Sequence, residues 1–188
     1  MQQLPVDQWI SRDTILSTNL EDNCKTWLCH LDSMTQMIKH HATASFELIV
    51  LSESVTTATP SEQQFLGLSD SQAYIREIVM KADNQDWLFA RSVFPQSIMT
   101  DSDQRLMNLG TTPLGSLFFD SEGKRQEEHN PRQTIDAGIL SNSHELIAHT
   151  SFPVVAELNL YARRSLFNYQ GLPALVQEVF LPAHPIYQ

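Results

Sequence analysis

Basic residues are scarce in this chain: 12 Lys and Arg stand against 22 Asp and Glu, a net charge of −10. Sequence-independent binding to nucleic acid needs a basic face, so no nucleic-acid partner is expected. An anionic ligand stays open, because a local arginine cluster binds carboxylates even in an acidic protein. Cysteine is scarcer still. Cys24 and Cys29 stand five apart, with no CxxC and no second pair, which makes a poor metal or disulfide signature. They read as two ordinary reduced thiols. No apolar run approaches the ~20 residues of a membrane span. Met1 to Asp7 has neither a basic nor an apolar leader segment, so a cytoplasmic protein is expected. Gly-rich phosphate loops, HExxH, GxSxG and tandem repeats are all missing.

What remains is ordinary globular material. Hydrophobic residues make up 41% of 188 residues, enough for one domain over 1–188. Charged residues are 18%, below the usual ~25%, so each charge inside an apolar stretch is informative.

Two strand-like stretches each carry one such charge. In Tyr74 to Met80, alternation puts Tyr74, Arg76, Ile78 and Met80 on one face. In Ala174 to Phe180, Ala174, Val176, Glu178 and Phe180 share a face. Removing an ion from water costs on the order of several kcal/mol. Arg76 and Glu178 are therefore either a buried salt bridge or the two ends of a pocket for a small polar molecule. A third charge, Arg91, shares a face with Trp87, Phe89 and Val93 on the strand beside Arg76. A snorkelling surface arginine is the plain alternative there.

The remaining elements follow from pattern. Trp9 to Leu28 carries spacing for one or two short helices. Asp32 reads as the N-cap of a helix over 33–41 whose stripe is Met34, Met37, Ile38 and His41. A core role is the plain reading of that stripe. Residues 45–52 read as a strand, 56–60 as a loop, and Ser61 to Gln64 as a helix start. Residues 73–94 form a hairpin, 101–109 a short helix closed by Gly110, and Thr111 to Gly115 a turn starting another. Residues 120–150 are polar, part strand at Thr134 and Ile135 and part loop; 157–169 and the Glu178 stretch are strands around Gln170-Gly171. About five strands joined by short turns make an α+β fold with a mostly antiparallel sheet.

Taken together, Asp32-Ser33-Met34-Thr35, Ile75-Arg76-Glu77-Ile78, Trp87 to Pro95, Leu109 to Gly115 and Glu178 to Tyr187 resemble bacterial chorismate–pyruvate lyase. The resemblance runs from Asp32 to Tyr187 and is weakest over 1–30 and 120–160. It implies conversion of chorismate to 4-hydroxybenzoate and pyruvate, the entry to ubiquinone synthesis, with no metal or organic cofactor. It also implies a product buried under helix-turn-helix flaps. By the same resemblance Arg76 holds the ring carboxylate, Glu178 meets the hydroxyl end, and Met34 and Leu114 line the ligand. The apolar face that Arg91 shares, rather than the resemblance, suggests that it meets the second carboxylate or the leaving oxygen. A monomer is the default. The competing class is a non-catalytic sensor of aromatic acids with the same fold. Such a regulator would carry a basic winged-helix domain of roughly 70 residues ahead of it, and the segment before Asp32 is short and not basic.

Overall fold

The computed structural model describes residues 4–99, 104–119, 134–150 and 159–188. A short strand β1 (Ile10–Ser11) leads into α1 (Arg12–Ser17), α2 (Asp22–Leu28) and α3 (Met34–His41). Then come β2 (Phe46–Thr57), α4 (Pro60–Leu66), β3 (Gln72–Ala82) and β4 (Gln85–Pro95). A short helix α5 (Gln104–Met107) and a 3₁₀ turn (Leu114–Leu117) precede β5 (Thr134–Leu140) and α6 (Glu145–Ala148). The hairpin β6 (Leu160–Tyr169) and β7 (Leu172–Phe180) ends the sheet, and a 3₁₀ turn (Pro185–Tyr187) closes the chain.

The strands form one antiparallel sheet in the order β1-β5-β6-β7-β4-β3-β2. That is the α+β class expected from the pattern. Seven strands replace the expected five. β1 is too short to show alternation, and Asp136 and Gly138 interrupt that of β5. β2 runs on through Thr57, where a loop was expected, because a bulge between Val50 and Ser52 breaks its alternation. The cap of α3 is Ser33, not Asp32: its Oγ accepts from the Gln36 N–H. The Glu62 helix start is a full capping box with Thr59. Residues 101–103, 120–133 and 151–158, including parts of the expected 101–109 helix and 157–169 strand, lie outside the described residues.

Both faces of the sheet are covered. On the near face, Trp27, Leu28, Met34 and Ile38 from α2 and α3 pack on Leu48, Ile78, Met80, Leu88 and Phe180. Beside them a second apolar group joins Tyr74, Phe94, Leu106, Leu114, Phe118 and Phe167. On the far face, Leu146 and Ile147 of α6 cover Val79, Phe89 and Val179, while Leu66 of α4 covers Ile75, Val93 and Leu175. Burying each large side chain contributes roughly 1.5–3 kcal/mol.

Two details tie the ends of the chain to this sheet. The stretch before β1 crosses β5 so closely that a Cβ on Gly138 would strike the Gln8 carbonyl. The Asp7 N–H donates to the Ile139 carbonyl at 2.7 Å, and Asp7 Oδ1 accepts from the Ser141 N–H at 2.7 Å. At the other end, His184 is 0% exposed between Trp27, Trp87 and Phe180. Its Nδ1 accepts from the Ile186 N–H at 3.0 Å, capping the last turn. Its Nε2 is sealed without a partner among the described residues.

Candidate active site

A cavity lies at the seam between the two near-face apolar groups. Its floor is Ile78, Ala90, Ser92, Val176 and Glu178 on β3, β4 and β7; Met34 and Thr35 of α3, with Leu114, Gly115, Phe118 and Phe119, form its walls. The cavity volume is about 50 Å³, several times what one water requires. Period-2 alternation puts the floor residues in place. The register pairs Ile78 with Ala90 and Ala90 with Glu178, so all three point the same way.

Met34, Leu114 and Glu178 thus come together in one lining. Arg76 stands beside it, paired in register with the lining residue Ser92. Its side chain is 1% exposed. Nη2 donates to the carbonyls of Gly110 at 2.6 Å and Thr112 at 3.3 Å, in the turn that carries Leu114. Nε lies 3.5 Å from Glu53 Oε2, an ion pair rather than a hydrogen bond. Nε and Nη1 are sealed with no hydrogen-bond partner among the described residues. Burial pushes the guanidinium pKa down, and Glu53 and Tyr74 oppose that. Tyr74 Oη donates to Glu53 as well.

Arg76 and Glu178 do not pair with each other. One strand and a two-residue offset separate them, roughly 12 Å between backbones from the spacing and rise of a sheet. The simple buried ion pair is therefore excluded. The partner of Glu178 is Arg163, opposite it on β6. Arg163 Nε donates to Glu178 Oε2 at 2.5 Å, and Nη1 donates to the His30 carbonyl at 2.7 Å. Arg163 also lines the cavity. Arg163 has no apolar contrast beside Arg164 to mark it in the sequence, although counting back from the two-residue turn Gln170-Gly171 puts it opposite Glu178. Glu53 was missed too, because the β2 bulge shifts it out of the strand's first alternation.

Arg91 is not at the cavity, and its expected role there is corrected. A bulge in the β3–β4 pair shifts the register between Met80 and Lys81, leaving Trp87 without a partner. The shift pairs Arg76 with Ser92 and sends Arg91 to the far face. There Glu62 of α4 grips it with two oxygens: Nε donates to Oε1 at 2.7 Å and Nη2 to Oε2 at 3.1 Å. Nη1 donates to Glu77 Oε1 at 2.8 Å. Gln177 Nε2 and the Thr59 N–H add bonds to Glu62, and Ser52 Oγ donates to Glu77. Burial alone would lower the Arg91 pKa, but the bonds and charges of Glu62 and Glu77 outweigh it and raise it.

Among the described residues no three His, Cys, Asp or Glu gather as metal ligands. Cys24 and Cys29 are free and buried, and burial raises both thiols. No helix among the described residues is long and apolar enough to cross a membrane.

Comparison with known proteins agrees with this architecture. The family model described as chorismate lyase matches residues 4–188. A chorismate pyruvate-lyase of Photorhabdus laumondii is 31% identical over 182 residues, 96% of this chain and 92% of that protein. One of Proteus mirabilis is 30% identical over 180 residues, 96% of this chain and 92% of its own length. Among solved structures, PhnF from Mycobacterium smegmatis superposes with a TM-score of 0.53 at 13% identity, covering 81% of this chain and 65% of that one. The ligand-binding domain of a GntR-family transcriptional regulator from Bordetella bronchiseptica gives 0.51 at 15% identity, covering 76% and 87%. These structural likenesses show a shared fold alone. The match from end to end of the sequence shows more: this chain belongs to the chorismate lyase family.

Proposed function

We propose that this chain is a chorismate lyase, releasing pyruvate from chorismate to leave 4-hydroxybenzoate, and that it acts as one domain in the cytoplasm. The observation that carries the reading is the buried Arg76, with Nη1 unpartnered among the described residues and Nε held only by the ion pair to Glu53, set beside an apolar cavity that Glu178 lines. A flat ring with a carboxylate at one end and a hydroxyl opposite suits that arrangement.

The chemistry asks mainly for orientation. The ether bond to the enolpyruvyl group breaks, and its electron pair leaves with the oxygen. The ring carbon bearing the hydroxyl loses its hydrogen as a proton, and that C–H pair completes the aromatic ring. Enolpyruvate then takes up a proton and becomes pyruvate. Aromatisation drives the step, so holding the reacting conformer contributes most. Arg76 meets the ring carboxylate through Nη1, the donor it has spare, in a charge-assisted bond. Glu178, held by Arg163, accepts from the ring hydroxyl and is the group positioned to receive the ring proton. Met34, Leu114, Phe118 and Phe119 enclose the ring and exclude water.

The test is direct. Purified protein is mixed with chorismate in the presence of chelator; 4-hydroxybenzoate is followed by chromatography and pyruvate by a coupled assay. Equal yields above the spontaneous rate, lost in Arg76→Ala and Glu178→Gln, support the lyase. The fold shared with a regulator's ligand-binding domain favours a sensor as the second reading. Tight 4-hydroxybenzoate binding without turnover would establish it.

A further inference from the structure

Chorismate carries two carboxylates, and Arg76 accounts for one. The second sits on the enolpyruvyl arm, attached next to the hydroxyl-bearing carbon. It therefore lies at the Glu178 end of the ring. We propose that Arg163 binds this second carboxylate and so sets the preference for the doubly charged substrate; the assignment rests on the lyase reading above.

Three observations converge on Arg163. It is the one cation in the cavity lining among the described residues. It is at the correct end, because the β6–β7 register puts it directly opposite Glu178. Its guanidinium is only partly used: Nε holds Glu178 and Nη1 holds the His30 carbonyl. Nη2 has no partner among the described residues. A planar guanidinium held by two bonds on other nitrogens is already oriented, so a carboxylate at Nη2 costs little further ordering. Arg91 cannot serve, since it lies on the far face between Glu62 and Glu77. Arg163 therefore does two things. It orients Glu178, and it places the departing enolpyruvyl group beside the carboxylate that meets the ring hydroxyl.

The experiment compares chorismate with its methyl ester on the enolpyruvyl carboxylate. Both are assayed with wild type, Arg163→Met and Arg163→Lys, and 4-hydroxybenzoate binding reports an intact site. A charge-assisted bond corresponds to roughly 10–100-fold in KM. The wild type is expected to favour the acid over the ester by about that factor. In Arg163→Met the KM for the acid rises and the preference falls to within about 3-fold of unity. Arg163→Lys keeps a cation beside Glu178 and retains a reduced preference, which serves if the Met variant fails to fold. A preference unchanged from wild type in either variant overturns the assignment while leaving the lyase standing. A wild type that turns over no chorismate overturns the lyase reading itself, and the role of Arg163 with it.

Discussion

His184 makes stability depend on pH between 7 and 5. The ring is wholly buried against Trp27, Trp87 and Phe180, and burial lowers its pKa from 6.5 to about 3, with His41 adding to the effect. The folded state therefore binds fewer protons here than the unfolded state. Its stability falls as pH drops below 6.5 and continues to fall toward the folded value. With those two values the loss between pH 7 and pH 5 is about 2 kcal/mol. Urea unfolding followed by tryptophan fluorescence at both pH values measures it. His184→Asn keeps an acceptor for the Ile186 N–H and removes the titration. The variant is less stable at pH 7, because a smaller side chain leaves space among the rings. The diagnostic quantity is the change with pH: wild type should lose about 2 kcal/mol more than His184→Asn. Equal losses, within about 0.5 kcal/mol, would show that the ring is protonated in place and refute the reasoning.

Arg91→Met should cost about 3–5 kcal/mol of stability, because it strips the cation from two buried carboxylates. Conditions that keep the variant folded should leave its KM for chorismate near the wild-type value; a loss of turnover with unchanged stability would return Arg91 to the site. Gly138→Ala should destabilise by about 1–3 kcal/mol, since the new methyl meets the Gln8 carbonyl. Thermal melting decides that, and an unchanged Tm would mean that the segment before β1 moves away freely. Glu178→Gln keeps the volume and removes the charge; kcat should fall by at least about 100-fold, the usual weight of a positioned acid or base. A fall below about 3-fold would assign the proton transfer elsewhere.

Alternation was enough to mark Arg76 and Glu178, because a charge in an apolar period-2 face is visible without partners. Met34 and Leu114 came only through resemblance: a methionine on a helix stripe and a leucine after a proline look like core. Arg163 was legible in principle, from the Gln170-Gly171 turn and a count along the hairpin, but among Arg163, Arg164 and Ser165 it carries no contrast of its own. Glu53 and the true side of Arg91 were not legible. Each depends on a bulge, and a bulge is a pairing event between two strands that neither strand's pattern announces. The far-face ladder of Glu62, Glu77, Arg91 and Gln177 was invisible for the same reason, since it joins α4 to three strands.

The extra position of Trp87, skipped in the β3–β4 register, has a consequence for how such a sheet changes over time. Every residue of β4 beyond it owes its side to that one extra position. Removing it would turn Arg91 inward and Ser92 outward, taking from Glu62 and Glu77 the arginine they share on the far face and handing the cavity a new cation. Point substitutions adjust the pocket by degrees. A single deletion in this hairpin would exchange the chemistry of the two faces at once, so gaps here should be far rarer than replacements.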